Sequence, residues 1–598
     1  MSDYSAPLRD MWFVLEHLAD LAAVAALPGF EHVEPESVYS VLEENARFME
    51  DLVAPLNRVG DVQGSVRNDD GSVTTPDGFK EAYRAYVAAG WGGVPFPEAY
   101  GGGGFPWLVG LAMQEMLTSA NMAFSMCPLL NQGAIDMLLH HASEEQREIY
   151  LPKMVTGEWT GTMNLTEPQA GSDVGAVATK ALPHGDGSYR ISGTKIFISF
   201  GEHDMSENII HLVLARTPSA PPGTKGISCF IVPKLLVNGD GSLGARNDVT
   251  CVSIEHKMGI KASPTCVLSY GDAGEGAVGY LVGEENAGMR YMFTMMNNAR
   301  LSVGLEGLAL AERAFQMAVA YAHERKQGRV PGAPAGEQSS IVEHPDVRRM
   351  LLTQRASIEA LRGIIYLNAA ALDRAARAVD EPDRVAAAEL ADLLIPVSKG
   401  WGTDLGVELT SLALQVFGGM GYIEETGVAQ HVRDARIAPI YEGTNGIQAM
   451  DLVGRKLPMR AGAAVADHIG RMDALDAELA EVGEELASIR HALAEGVATL
   501  RRSTDWLLTN GMANPLDALA AATPYLRLFS LVTGGWVMAR QALKAVALRD
   551  AAARVDDTAF YEAKVLTARF FCEQILPQAA GLLPAVTATN RDLAAATF

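Results

Sequence analysis

A block of short apolar runs lies in the middle of this sequence, between two long stretches of helical periodicity. From about Gly161 to Tyr280 the runs read YRISGTKIFIS, NIIHLVLART, GISCFIVPKLL and TCVLSY, each flanked by Gly, Pro, Asn or Asp. Runs of this length with such flanks are typical of β-strands. The sequence therefore predicts a β domain at residues 161–280, set between helical domains.

Apolar residues recur at helical spacing on both sides of that block. VYSVLEENARFMEDLV precedes it, and GMRYMFTMMNNARLSVGLEGLALAERAFQMAVAYAHERK follows it. A chain of 598 residues is also too long for a single hydrophobic core. We predict an N-terminal extension at 1–37, a helical domain at 38–160, a second helical domain at 281–457 and an additional helical domain at 458–598.

The charge balance argues against one class of partner. Asp and Glu number 72 against 48 for Lys and Arg, which gives a net charge of −24. Binding to phosphate backbones depends on clustered Lys and Arg, so nucleic acid is not an expected partner. The five cysteines are widely spaced without a Cys-x-x-Cys pair, so neither a disulfide framework nor a metal site is predicted. A cytoplasmic location is expected.

The sequence predicts neither an export signal nor a transmembrane segment. Asp10, Glu16 and Asp20 interrupt the N-terminal apolar residues, whereas a secretory signal has a basic start and an unbroken apolar centre. The most apolar later segment, YLRLFSLVTGGWVMARQAL, is interrupted by Arg527 and Arg540. It falls short of the roughly 20 clean apolar residues that span a bilayer, so it is predicted to be a buried helix.

Two stretches of the β block carry groups suited to a planar or phosphate-bearing cofactor. MNLTEPQAGSDVGA supplies hydroxyls and glycine-exposed backbone N–H groups, although the same residues favour ordinary turns. In GTKIFIS, strand alternation is expected to place Lys195, Phe197 and Ser199 on one face, opposite Ile196 and Ile198. Phe197 would then either cover a cofactor ring beside Ser199 or be a core aromatic next to a satisfied serine.

An acidic residue stands at a turn near the end of the second helical domain. In ARIAPIYEGTNGIQAMDLVGRKL, Glu442 lies between a tyrosine and Gly-Thr-Asn-Gly, where an apolar run gives way to a helix. The residue is either a reactive base or a solvated loop charge.

Several of these motifs together resemble the acyl-CoA dehydrogenase family. The resemblance covers roughly 38–457 and rests on LTEPQAGSDVG, GTKIFIS, HERK, QVFGGMGYIEETGVAQHVRDARI and IYEGTNGIQ, in the family's order. It implies a mainly α fold with a central β domain: an α-helical domain, a β-barrel-like domain and a four-helix domain. The extra C-terminal helical domain is similar to a roughly 600-residue subgroup that includes 3-methylmercaptopropionyl-CoA dehydrogenases and some actinobacterial fatty acyl-CoA dehydrogenases.

The resemblance implies noncovalently bound FAD. Leu165 and Thr166 would lie near the pyrimidine side of the flavin, Ser199 near N5, and Phe197 against the ring. In the family the equivalent of Arg325 reaches the pyrophosphate from the neighbouring subunit, so a homodimer or a dimer of dimers is expected. The full set implied for the cofactor is Leu165, Thr166, Ser172, Phe197, Ser199, Arg325, Gln415, Gly419 and Thr444.

For the substrate, the resemblance implies an acyl-CoA channel. Ser172, Asn297, Arg300 and Gly443 match the family positions that line it, although Arg300 by itself could form a surface ion pair. Glu442 would be the general base for the α proton, and burial would raise its proton affinity toward working pH. A change elsewhere on the loop, such as Asn445→Ala, is expected to affect the chemical step far less.

The expected activity is desaturation of an acyl-CoA to the trans-2-enoyl-CoA, with electrons passed to electron-transfer flavoprotein. 3-Methylmercaptopropionyl-CoA is an alternative specific substrate, because acyl chain length cannot be read from the sequence. An acyl-CoA oxidase that uses dioxygen would share every residue named above. A DNA-associated flavoprotein on the same fold is a remote alternative, since the C-terminal extension mixes Glu and Asp with Arg and has no basic block.

Overall fold

Helices form both flanks of the chain, as the apolar spacing predicts. The computed structural model describes residues 4–334, 336–511 and 513–598. The α-helices in these residues are α1 (Leu8–His17), α2 (Leu21–Ala25), α3 (Pro35–Phe48), α4 (Leu56–Gln63), α5 (Phe79–Ala88), α6 (Trp107–Ala120), α7 (Met122–His141), α8 (Glu144–Thr156), α9 (Gly288–Glu324), α10 (Pro345–Arg377), α11 (Glu381–Pro396), α12 (Gly402–Phe417), α13 (Val428–Ala435), α14 (Asn445–Asp451), α15 (Ala463–Val482), α16 (Ala487–Trp506), α17 (Pro515–Ala551), α18 (Val555–Phe570), α19 (Gln578–Thr587) and α20 (Arg591–Ala595).

Local sequence signals set the ends of α8, the last helix before the β block. Ser143 caps its first turn by accepting a hydrogen bond from the Gln146 N–H, and the Gln146 side chain accepts one from the Ser143 N–H. Gly157 ends the helix in the left-handed region, with φ of 88°. The chain then enters the first long strand at Trp159.

The predicted strand runs form one eight-stranded sheet in the middle of the chain. The strands of the described residues are β1 (Val66–Arg67), β2 (Val73–Thr74), β3 (Trp159–Asn164), β4 (Lys180–Pro183), β5 (Tyr189–Ser199), β6 (Asn208–Ala215), β7 (Ser228–Pro233), β8 (Leu235–Val237), β9 (Leu243–Arg246), β10 (Val249–Ile254), β11 (Thr265–Tyr270) and β12 (Ala277–Leu281). The order of the eight-stranded sheet is β10-β11-β5-β12-β7-β6-β3, with β4 paired to β5; β3 and β6 are parallel and the other pairs antiparallel. All four quoted runs contain strands of this sheet.

The expected alternation along GTKIFIS is wrong. Leu268 pairs with Lys195 and Cys266 with Ile198, so β5 has one more residue than β11 between these two pairs. Phe197 takes a left-handed φ of 60° at this bulge. As a result Lys195 and Ile198 are both buried, whereas the side chain of Phe197 is 59% exposed. The bulge separates Phe197 from Lys195, and it turns an aromatic ring outward.

The two ends of the chain share one hydrophobic core with the helices between them. Met11, Leu361, Trp401 and Val537 belong to the same buried cluster. α17 packs on α10 and α14, and a Cβ on Gly363 of α10 would lie 2.3 Å from the Val537 side chain. The helix α17 lies after the predicted domain boundary at residue 457, yet it packs directly onto α10 and α14, which lie before that boundary. The domain boundary therefore stays a prediction.

The most apolar segment lies within α17 and is largely buried, as predicted. Among the helices of residues 4–334, 336–511 and 513–598, none combines the length and apolar character needed to cross a bilayer.

Candidate active site

Glu442 lies on a tight turn between α13 and α14. Its φ is 54°, a left-handed value that is rare for residues other than glycine, and Gly443 follows with φ of 79°. Thr444 caps α14 by accepting a hydrogen bond from the Ile447 N–H at 3.2 Å. Strained backbone of this kind clusters at functional sites, where the surroundings hold it in place.

The side chain of Asn445 anchors this turn to the start of α12. Its amide donates to the Gly400 carbonyl at 2.9 Å, to the Thr403 hydroxyl at 2.9 Å and to Asp404 Oδ1 at 2.7 Å. Its Oδ1 accepts from Lys399 Nζ at 3.0 Å. The sequence indicated no such role for Asn445, and these contacts make it the main fixing point of the Glu442 turn.

A π-helical turn, Val397–Trp401, carries Lys399 into the interior between α11 and α12. π-turns of this kind are frequent at functional sites. Two glycines of α9 allow close packing against this region: a Cβ on Gly304 would lie 2.4 Å from the Ser398 carbonyl oxygen, and one on Gly307 would lie 2.1 Å from that of Gly402. The close approach of α9 brings its buried face against the turn that holds Lys399.

The Glu442 carboxylate is half-buried and has no hydrogen-bond partner among the described residues. Burial raises the pKa of Glu442 above its ordinary value, while the charges of Lys399 and Arg300 oppose the rise. Burial also lowers the pKa of Lys399 to about 8, although the negative charges of Glu442, Glu306 and Asp404 act to raise it. The site therefore contains an available carboxylate whose proton affinity depends on two nearby cations.

Three of the four residues predicted for the substrate lie around this carboxylate or its turn. Arg300 is buried on α9, and its Nη1 donates to Asn297 Oδ1 at 3.3 Å. A Cβ on Gly443 would lie 3.7 Å from Arg300 Nη2. Arg300 also lies 4.0 Å from Asp451, which is buried, so it is not a surface ion pair. Ser172 is exposed in the loop after β3, and within the described residues no hydrogen bond or ion pair joins it to this group.

A second group of predicted residues meets at the β5 bulge. The Ile196 N–H donates to the Thr166 carbonyl at 2.9 Å, and Lys195 Nζ donates to the Leu165 carbonyl at 3.0 Å. Ser199 ends the same strand. The bulge and the loop after β3 thus hold Leu165, Thr166, Phe197 and Ser199 on adjoining segments.

A buried ion pair that the sequence did not indicate fixes this second group. Lys195 Nζ lies 2.8 Å from Glu167 Oε1, and the carboxylate also accepts from the Ala178 N–H and the Thr179 hydroxyl. Although burial opposes it, the Lys195 charge and these hydrogen bonds lower the pKa of Glu167 to about 2. The pair keeps the loop after β3 against the bulge.

The third group of predicted residues lies on the outside of the helical domain. Arg325, Gln415 and Gly419 are exposed near the C-terminal ends of α9 and α12. The two ends are held together by Tyr321 and Phe417, whose rings stack with centroids 4.2 Å apart. Next to them, Met420, Tyr422 and Ile423 are exposed by 44–87%.

Sequence reasoning missed Glu306 and Lys399 as members of the site. Each is a lone charge in an apolar run, LSVGLEGLALA and LLIPVSKGW. That pattern was a usable signal, because charged residues are almost never fully buried unless they are paired or functional.

The chain matches family models along most of its length. The matches are to the acyl-CoA dehydrogenase N-terminal domain at residues 40–158, middle domain at 162–273 and C-terminal domain at 286–457, and to the acetyl-CoA dehydrogenase C-terminal-like model at 465–597. The last match covers the extension after residue 457.

Curated relatives and a solved structure extend over the whole chain. A 3-methylmercaptopropionyl-CoA dehydrogenase of Ruegeria pomeroyi is 46% identical, covering 100% of both chains. The broad-specificity linear acyl-CoA dehydrogenase FadE5 of Mycobacterium tuberculosis is 36% identical, covering 99% of both. The structure of a Bacillus anthracis acyl-CoA dehydrogenase complexed with FAD superposes with a TM-score of 0.73 at 20% identity, over 96% of this chain and 91% of that one, which shows the shared fold. On this evidence the chain belongs to the acyl-CoA dehydrogenase family.

Proposed function

We propose that this protein is an FAD-dependent acyl-CoA dehydrogenase in which Glu442 is the general base. The supporting observation is the Glu442 carboxylate itself. It is half-buried, lacks a hydrogen-bond partner within the described residues, stands on strained backbone and adjoins Arg300. A carboxylate that is only a solvated loop charge would be exposed and would adopt ordinary backbone angles.

The residues at the β5 bulge fit a planar, polar cofactor. Phe197 offers an exposed aromatic face, and the hydroxyls of Thr166 and Ser199 have no hydrogen-bond partner in the described part of the chain. An exposed ring beside free hydroxyls matches a heteroaromatic ring with polar edges. We therefore assign the predicted cofactor set to FAD, which would supply the acceptor for the hydride leaving the β carbon of the substrate.

Removal of the α proton of the substrate is carried out by residues of the chain itself. Glu442 takes the α proton of the thioester, which breaks the Cα–H bond and leaves the electron pair to form the Cα–Cβ double bond as the β hydrogen departs as hydride. Gly443, with no side chain, permits close approach of substrate to the turn. The charges of Lys399 and Arg300 favour the ionised carboxylate and oppose the rise in its pKa that burial causes.

Arg325, Gln415 and Gly419 support a homodimer. They are exposed at one edge of the helical domain beside the apolar side chains of Met420, Tyr422 and Ile423. An exposed apolar group of this kind favours a protein interface. We propose that a second copy covers it and that Arg325 then contacts the FAD of the partner, so Arg325→Ala should lower the FAD content of the purified protein.

The substrate and electron acceptor are tested together by steady-state kinetics. The purified protein, with an artificial electron acceptor, is assayed against butyryl-CoA, longer linear acyl-CoAs and 3-methylmercaptopropionyl-CoA. The identity to the Ruegeria pomeroyi enzyme favours the last of these. Electron-transfer flavoprotein should replace the artificial acceptor, whereas peroxide formation without any acceptor would identify an oxidase. Absence of FAD and of turnover with every thioester would refute the proposal.

A further inference from the structure

A second buried carboxylic acid, Glu306, lies directly behind the Glu442 turn. It is in the middle of α9 and has no exposed surface. Its Oε2 is hydrogen-bonded to the hydroxyl of Tyr441, the residue that precedes Glu442. Its Oε1 is buried without a hydrogen-bond partner among the described residues. A buried carboxylate with a free oxygen is costly, whereas a protonated acid in this position needs fewer partners.

The groups around Glu306 and Tyr441 come from four parts of the chain. The turn after α13 contributes Tyr441 and Glu442, and the π-turn contributes Lys399. From α7 the neighbour is Met126, whose Sδ lies 3.6 Å from the Tyr441 hydroxyl oxygen. From α6, the neutral amide of Gln114 accepts a hydrogen bond from Ser302, which lies one turn before Glu306 on α9.

We propose that Glu306 is a positioning residue that holds a proton beside Tyr441 and so keeps a second negative charge away from the Glu442 turn. The inference rests on the proposed function of Glu442 as the base.

The geometry accommodates both protonation states of Glu306. When neutral, Glu306 donates its proton to the Tyr441 oxygen, and the Tyr441 hydroxyl is free to donate to Met126 Sδ. When ionised, Glu306 accepts from the Tyr441 hydroxyl instead. Burial raises the pKa of Glu306 to about 8, and the negative charge of Glu442 acts in the same direction. The hydrogen bond from Tyr441 and the positive charge of Lys399 act to lower this pKa.

Ionisation of Glu306 should oppose the reaction. Removal of the α proton places negative charge on the thioester oxygen, and a carboxylate in the same low-dielectric interior destabilises that charge. The value of kcat/KM should therefore fall as the pH rises through the pKa of Glu306. Glu306→Gln keeps the neutral form at every pH, so this fall in kcat/KM, the alkaline limb of the pH profile, should disappear in that variant.

The kinetic test compares kcat/KM between pH 6 and 10 for the parent, Glu306→Gln and Tyr441→Phe. Since the Tyr441 hydroxyl lowers the pKa of Glu306, Tyr441→Phe should move the alkaline limb to higher pH. Glu481→Gln, an exposed acid on α15, is the matched control and should leave the profile unchanged. An alkaline limb that persists at the same pH in Glu306→Gln would belong to another group, such as Lys399, and would overturn the inference.

An infrared measurement tests the inference without turnover. At pH 7 the parent should show the carbonyl stretch of a buried protonated carboxyl that is missing from Glu306→Gln and that disappears as the pH rises through the alkaline limb. Asp373 and Asp434, whose pKa values burial raises to about 7 and about 6, are present in both proteins, so their bands cancel in the difference spectrum between the two. Absence of that band from the folded parent at pH 7 would overturn the inference even if Glu306→Gln does not fold. Because this readout needs no substrate, it separates a failure of the Glu306 assignment from a failure of the dehydrogenase assignment.

Discussion

At the scale of single residues, the strongest expectation concerns Glu442. Glu442→Gln is nearly isosteric but cannot accept a proton, so acyl-CoA should still bind while kcat falls by at least about 10²- to 10⁴-fold, the range for loss of a positioned base. The measurement is the rate at which substrate bleaches the protein-bound FAD in the absence of oxygen. Glu481→Gln, at an exposed acid on α15, is again the control. Bleaching of Glu442→Gln at near the parent rate would show that Glu442 is a loop charge.

We expect Lys399 to affect how kcat/KM decreases at acid pH. Only ionised Glu442 can take a proton, so kcat/KM should decrease as the pH falls through the pKa of Glu442, which burial raises. Lys399 favours the ionised form, and Lys399→Met should therefore move this acid limb to higher pH by about one unit or more. Lys225→Met, at an exposed lysine, should leave the limb in place. An unchanged limb in Lys399→Met would mean that Lys399 only fixes Asn445.

Some residues of the candidate site could be predicted from the sequence, and others could not. The motif around Glu442 and Gly443 is local, and it predicted an acid at a turn that leads into a helix, which is where the structure has Glu442. Glu306, Lys399 and Asn445 lie far apart in the chain and become neighbours through packing of α9 on the π-turn. Their chemistry depends on burial and on distances across the fold, which periodicity and composition do not specify. The Asn445 side chain illustrates this, since all of its partners lie some 40 residues earlier.

At the scale of elements, the strands could be predicted because apolar runs and their flanks are local features. The bulge in β5 could not, because the change in register depends on how β11 pairs with it and on a left-handed Phe197. The π-turn at Val397–Trp401 continues the helical spacing of α11 and α12. A one-residue insertion in a helix leaves little trace in an apolar pattern. Both irregularities lie at proposed site residues, where departures from regular structure are expected.

The packing of α9 on α12 gives a prediction at this scale. Gly307→Ala would place a Cβ 2.1 Å from the Gly402 carbonyl oxygen, so the helices must separate and the Lys399 turn must shift. We expect both a lower unfolding midpoint and a lower kcat. Gly470→Ala, at an exposed position of α15 where a Cβ meets nothing within 4 Å, should instead be neutral or stabilising by about 0.5–1 kcal/mol. Thermal unfolding and steady-state assays are measured for both variants. A loss of stability and activity in Gly307→Ala alone would show that the close contact between the helices is responsible, because both variants replace a helical glycine by alanine.

At the scale of the whole molecule, the two ends of the chain meet in one buried ion cluster. Lys564 of α18 lies 2.5 Å from Asp10 Oδ1 on α1 and 3.3 Å from Glu359 Oε2 on α10. Glu359 also pairs with Arg355 at 2.9 Å. Both termini are therefore tied to the central helices by buried charge as well as by the shared core, and the C-terminal extension should not unfold independently of the catalytic helices.

The Lys564 cluster is tested by a pair of substitutions. Lys564→Met removes a buried cation and leaves Asp10 without its ion partner, which for a buried pair typically costs about 3–5 kcal/mol. We expect denaturant unfolding to remain a single transition at a lower midpoint. Asp10→Asn combined with Lys564→Met removes both charges, so the double variant should be more stable than Lys564→Met alone. Arg591→Ala, from an exposed pair in α20, should leave the midpoint unchanged. Two separate transitions in Lys564→Met, with catalytic activity lost only in the second, would show that the extension is an independent module.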